Sequence, residues 1–228
     1  MLRKPFSVSL YAQSQQEEPQ LFFKRFISNN AIWDNDFLKI SQTQLGFSTE
    51  LLNTNVRFEY QTINNPVYLN EFVVPEQHTA TVSVMKVKLT NHLQIKGFGM
   101  NTTAIYQNIS NTEIMPLPKY LLSTSIGYTV RLFKVLSLNP GIELRYVSAY
   151  YPEAYAPYLN HFYHQTQYQS SDHVFADVFL NFKVKRMMLF LKYQHINSGL
   201  MGYDYMMTPH YPMQDAAIKF GLKWTFFD

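Results

Sequence analysis

Residues Ala216 to Phe227 read A-A-I-K-F-G-L-K-W-T-F-F, a two-residue rhythm with few possible causes. Ala216, Ile218, Phe220, Leu222, Trp224 and Phe226 share one parity, and Ala217, Lys219, Gly221, Lys223 and Thr225 share the other. Successive side chains of a strand point to opposite faces, so one face is oily and the other carries two lysines. A soluble antiparallel strand alternates in this way. So does a strand that crosses a membrane as part of a barrel, apolar toward lipid, polar toward the lumen and aromatic at the interface.

The rest of the chain decides between these by repeating the rhythm. Strands are expected over Lys4–Ala12, Leu21–Phe26, Ala31–Ile40, Leu45–Leu51, Val56–Thr62, His78–Leu89, Phe98–Tyr106, Tyr120–Leu132, Leu136–Tyr146, Val174–Val184 and Met187–Tyr193, with the C-terminal strand last. Gln13–Pro19 reads as a polar turn. Parity is poor across Leu21–Ile40, and it slips near Val84-Met85, where a bulge is expected. Pro140 is a blemish, because proline cannot donate to a ladder. Charges inside the strands fall almost all on one parity. Connections alternate as well: short turns near residues 54, 92, 134 and 186, long loops near 70, 113, 160 and 206. A β-sandwich has no reason to keep one end tight and the other long over so many hairpins, whereas outer-membrane barrels do this throughout. The expected fold is all-β, an antiparallel up-and-down transmembrane barrel, with about ten to twelve strands crossing at the usual tilt. Residues 1–228 form one barrel domain in this reading.

Composition narrows the field. Charged residues make up only 15%, against an average near about 25%. Aromatics reach 16%, with 17 Tyr and 18 Phe. Mean hydropathy is −0.19, and no run of about 18 apolar residues exists, which excludes a helical membrane protein but not a barrel. Without cysteine there is no disulfide, zinc–cysteine site or thiol catalysis. The net charge of +3 comes with no basic cluster, so nucleic acid is not an expected partner. Met1–Phe6 has a basic pair but no apolar segment after it, so it is not read as a secretory signal.

The C-terminal third carries a resemblance. The runs D-V-F-L-N-F-K-V-K-R (Asp177–Arg186), L-F-L-K-Y-Q-H (Leu189–His195), T-P-H-Y-P-M (Thr208–Met213) and K-F-G-L-K-W-T-F-F-D (Lys219–Asp228) resemble the putative porin family of Bacteroidota outer membranes. Upstream, W-D-N-D-F (Trp33–Phe37), Gln107 after Tyr106, P-L-P (Pro116–Pro118) and R-Y-V-S-A-Y-Y-P-E-A-Y-A-P (Arg145–Pro157) look like the same family. The resemblance implies an outer-membrane channel without giving its substrate. Members carry a signal peptide and more strands ahead of this region, so the chain is expected to be a C-terminal portion of a larger barrel.

The functional expectation is passive passage of small solutes, with no enzyme chemistry and no cofactor. Arg57, Glu59, Arg131, Glu143, Arg145, Asp177, Lys183, Lys185, Lys192, Lys219 and Lys223 are expected to line the pore, or else to pair across strands and fill a narrow lumen. Val174, Val178, Leu180, Phe182, Phe220, Leu222, Trp224 and Phe226 are expected to face lipid. Outer-membrane lipid is thus a partner, and the C-terminal strand is the expected signal to the assembly machinery. The alternative is a structural subunit of an envelope complex, docking a protein partner or a second copy through its aromatic loops. Those loops span Tyr146–Tyr168 and Gly199–Met213, Tyr203 included; the bland reading packs them on one another as a lid. His161, His164, His173 and Glu153 are candidate metal ligands by residue type, and Ser198, Asp204 and His210 a candidate hydrolase trio. Neither set has the spacing such sites need.

Overall fold

The computed structural model describes residues 6–200 and 205–226. Ten long strands lie side by side in chain order, every neighbour antiparallel. They are β1 (Ser7–Glu17), β2 (Ile40–Leu51), β3 (Thr54–Asn64), β4 (Val82–Ile95), β5 (Phe98–Ile109), β6 (Tyr120–Tyr128), β7 (Leu136–Val147), β8 (His173–Val184), β9 (Met187–Gln194) and β10 (Ala217–Trp224). A short piece, Val130–Leu132, prolongs β6 along β7. Among the described residues, β1 pairs only with β2 and β10 only with β9, so the sheet has two open edges.

One end of the sheet is tight. The turns at 52–53, 96–97, 133–135 and 185–186 join consecutive strands there. Leu52, Lys96, Phe133, Lys134 and Lys185 take φ of 56, 53, 50, 61 and 49°, the left-handed region that tight hairpins require. The other end carries the loops 18–39, 65–81, 110–119, 148–172 and 195–216.

Four expectations need correcting. β1 does not stop at Ala12, and Gln13–Pro19 is not a turn: the strand runs to Glu17, Gln13 opposes Gln44, and Gln15 donates to Gln42 at 3.2 Å. Glutamines that looked like loop residues complete the ladder. (Lys4, where that strand was expected to begin, lies outside the described residues.) The poor parity of Leu21–Ile40 has a physical cause. Leu21–Lys24 is one helical turn, and Arg25–Ile27 pairs with Ile32–Asp34 in a small hairpin apart from the main sheet. No bulge interrupts Val84-Met85: β4 keeps register with both neighbours from end to end. The rhythm falters there because Val82 and Val84 sit on the polar face, buried near the loop end. The turn expected at Asn91-His92 lies at Lys96-Gly97. Asn91 is still in strand, donating to the Thr54 hydroxyl at 2.8 Å.

Candidate functional site

Register assigns every strand residue to a face. One row runs Tyr11, Gly46, Glu59, Lys86, Gln107 across β1 to β5; another runs Ser125, Glu143, Asp177 across β6 to β8. Followed through the whole sheet, every Asp, Glu, Lys and Arg on the ten strands falls on this same face, here called inner. The outer face has none. Burial runs opposite to that of a water-soluble protein. Outer Leu10 and Phe220 are each 79% exposed, while inner Asp177 is 0% exposed. A soluble domain buries its leucines and hydrates its aspartates; this sheet does the reverse, as a wall between lipid and a polar interior must.

The outer face completes the pattern. On it the Thr102 and Thr124 hydroxyls bond each other at 2.9 Å. Tyr106 and Tyr120 stand with ring centroids 5.4 Å apart near the loop end, and the Lys119 ammonium lies 5.8 Å from the Tyr120 ring. Near the turn end Trp224 stacks on Phe226 at 5.8 Å. Aromatics at both margins of an apolar band form the two girdles of a membrane barrel. Val174, Val178, Leu180, Phe182, Phe220, Leu222 and Trp224 all lie on this face, and Phe226 follows just beyond the last strand.

The inner face divides into two halves. Toward the loops its charges are paired. Lys192 Nζ lies 2.6 Å from Glu143 Oε2 and 2.9 Å from Asp177 Oδ2, and Arg145 Nη2 lies 3.2 Å from the same Asp177 oxygen. The His195 backbone N–H donates to Asp177 Oδ1 at 2.8 Å, so the carboxylate also anchors the start of a long loop. On β3 and β4, Glu59 meets Lys86 at 3.0 Å and Arg57 at 3.9 Å, and accepts the Tyr11 hydroxyl at 2.5 Å. To reach Glu59, Tyr11 crosses over Gly46, where a Cβ would run into its ring. Toward the turns the inner face is different. Arg131, Ser137, Lys183, Met188 and Lys223 form one cross-strand row, with Lys219 beside Lys192. Among the described residues none of Arg131, Lys183, Lys219 or Lys223 has an ion-pair partner.

Of the residues expected to line the lumen, all except Lys185 stand on the inner face. Lys185 is a correction: β8 ends at Val184, and Lys185 is in the tight turn. Pairing across strands holds for Glu59, Glu143, Arg145, Asp177 and Lys192, while Arg57 meets Glu59 on its own strand. Lys86 and Lys88 belong to the same face and were missed, because the supposed bulge hid their parity. Their alternation with Met85, Val87 and Leu89 was the signal available.

The long loops knit together into a cap. Trp33, Leu69, Ala156 and Leu159 form a buried cluster with Phe22, Phe26 and Tyr163 packed against it. Trp33 donates its indole N–H to the Phe22 carbonyl at 2.6 Å, Phe22 stacks on His161 at 3.8 Å, and the His164 N–H donates to the Leu69 carbonyl at 2.8 Å. Loop 18–39 thus touches loop 148–172, although the strands β2 and β7 that carry them are five spacings, about 24 Å, apart on a flat sheet. The sheet is curved, and the loops close over one end. Tyr205 stacks on His173 at 4.1 Å and lies 5.6 Å from Phe175, so loop 195–216 reaches the inner face.

The remaining candidates do not assemble. His164 meets Glu153 at 3.1 Å, His161 lies against Phe22, and His173 faces His195, Nε2 to Nε2, at 3.4 Å. Among the described residues no three His, Asp or Glu side chains converge as metal ligands would. Asp204 and Tyr203 lie outside the described residues, and the Ser198 hydroxyl is directed at Asp215, 3.5 Å away.

The family described as "Putative porin" matches residues 1–228. No curated protein matches the chain. Among solved structures, the chain is similar to the ferric-catecholate import receptor Fiu of Escherichia coli K12, at 14% identity and TM-score 0.64, covering 96% of this chain and 33% of that one. It is similar to the FrpB iron transporter of Neisseria meningitidis, at 17% identity and TM-score 0.65, covering 96% and 37%. The pyoverdine outer-membrane receptor FpvA of Pseudomonas aeruginosa PAO1 follows at 13% identity and TM-score 0.60, covering 96% and 34%. At these identities the likeness is one of fold. The chain spans about a third of the length of these barrels.

Proposed function

Since the chain belongs to the putative porin family and folds as outer-membrane barrel wall, we propose that its inner face lines a channel for passive passage of small solutes. One observation carries this reading: every charged side chain of the ten strands is on the inner face, and the opposite face is exposed and apolar. Arg131, Lys183 and Lys223, without an ion-pair partner among the described residues, bias the turn-side half of the lumen toward anions, and Lys219 beside Lys192 adds to it. The turns face the periplasm and the cap faces the exterior, as short and long connections do in such barrels. Two open edges cannot stand in hydrocarbon, where each unpaired backbone group costs several kcal/mol. The reading therefore includes further strands of a longer polypeptide between β10 and β1. Protein extracted from the outer membrane and added to planar bilayers should give discrete conductance steps with chloride preferred over potassium. Bilayers that stay closed after verified insertion would refute the channel.

A second reading rests on the cap, whose apolar tips Leu21, Ile27, Ile32 and Phe72 remain exposed. Such tips suit a subunit that docks an envelope protein or a second copy. A stoichiometric partner retained through detergent extraction, and lost on replacing Ile27 and Ile32 with Ser, would favour it.

A further inference from the structure

The turn-side half of the inner wall holds a recess of about 520 Å³ across β6 to β9. Its floor is made by two rings. Phe179 lies over Gly141 and Phe190 over Gly221, because each glycine leaves open the space that a Cβ would take. Both rings therefore run along the wall rather than standing out from it, the glycine–aromatic pairing of regular sheets. Amides flank them. Asn181 donates to Asn139 at 3.4 Å and Asn139 to the Thr129 hydroxyl at 3.0 Å, a one-way chain that leaves each amide a second N–H. Lys183 lines the same recess, exposed and with no ion-pair partner among the described residues. Lys192, by contrast, is held by Glu143 and Asp177.

We propose that this recess binds a small organic anion with a flat apolar body, an aromatic carboxylate. The carboxylate meets Lys183 and the asparagine N–H groups, and the ring rests on Phe179 and Phe190. An inorganic anion gains nothing from the two rings, and an uncharged ring leaves the lysine unanswered. The volume suits one such molecule, since sites for small ligands occupy roughly 300–1,000 Å³. The inference rests on the reading above that this face lines a water-filled lumen.

Isothermal titration of the detergent-solubilised protein with benzoate, acetate and glucose tests it. Benzoate should bind about tenfold tighter than acetate, from ring contact added to the same charge-assisted bonds. Lys183→Gln should weaken benzoate by about tenfold, and Phe190→Leu should narrow the gap between benzoate and acetate. Lys39→Gln, in the cap, should change neither. Circular dichroism checks that each variant folds. Equal affinity for benzoate and acetate, or glucose bound in preference, would overturn the site. The same samples go into planar bilayers. Benzoate binding in a protein that conducts nothing keeps the recess and removes the channel; conductance without benzoate preference removes the recess alone.

Discussion

Replacing outer-face residues with arginine at two depths asks directly whether that face meets lipid. Leu191 is 43% exposed and opposes Leu180 on one side and Phe220 on the other. It lies four residues from Met187, the last pair before the tight turn. At about 3.4 Å per residue and a tilt near 40°, that is roughly 10 Å into an apolar band about 25 Å tall, close to its middle. Arginine there should cost about 2–4 kcal/mol, while Met187→Arg, at the margin, should cost about 0–1 kcal/mol. If water covered this face, both substitutions would fall within about 1 kcal/mol, the cost of one lost cross-strand contact. Urea unfolding from phospholipid vesicles, followed by circular dichroism, measures the two variants side by side. Equal costs for Leu191→Arg and Met187→Arg would refute the assignment of the outer face to lipid, and with it the barrel wall.

Asp177→Asn should remove the counter-charge of Arg145 and half that of Lys192, while an amide oxygen still accepts the His195 N–H. Breaking a buried pair costs about 3–5 kcal/mol; Lys192 keeps Glu143, so about 3 kcal/mol is expected, a Tm about 6–12 °C lower in detergent. An unchanged Tm would show that the cluster is not a structural element. Gly46→Ala should push Tyr11 off Glu59 and cost about 1–3 kcal/mol. In a Tyr11→Ala background that penalty should vanish; a penalty that persists would place the strain elsewhere. In the cap, burial, followed by the Glu76 carboxylate, pushes Tyr68 up to about 12, and burial, with Tyr150 and Tyr168 beside it, pushes Tyr205 up to about 12. Both folded-state values exceed the free value near 10, so the stability they carry is complete below pH 10 and is lost as pH rises from 10 to 12. An absorbance titration should show these phenols ionising last, together with loss of the near-ultraviolet circular dichroism of the cap; ionisation of all tyrosines near pH 10 with the cap intact would contradict this.

The period-2 rhythm made most of the strands legible, because a strand's faces alternate with every residue and the two solvents on its two sides demand opposite chemistry. β8 and β10 could be placed on their faces from sequence for this reason. The rhythm failed where a third environment intruded. Val82 and Val84 are apolar residues on the polar face, buried near the loop end, and they broke the parity without breaking the strand. Leu21–Ile40 alternated badly because Phe22, Phe26 and Trp33 pack on one another in the cap and not along a sheet. Gln13–Glu17 read as a turn because polar side chains outside the oily band carry no alternation to detect.

What the amino-acid order determined by itself was local: strand, face, and the alternation of short turns with long loops. Each follows from steric alternation and from the transfer cost of charge into hydrocarbon, quantities that one residue and its neighbours decide. Which inner charges are neutralised was settled only in three dimensions. Glu143, Asp177 and Lys192 are far apart in the chain and became one cluster when register set β7, β8 and β9 side by side, while Lys183 on β8 and Lys223 on β10, a few rungs away, have no ion-pair partner among the described residues. A charge's partner across a sheet depends on the hydrogen-bond ladder between strands, and no single strand contains that information.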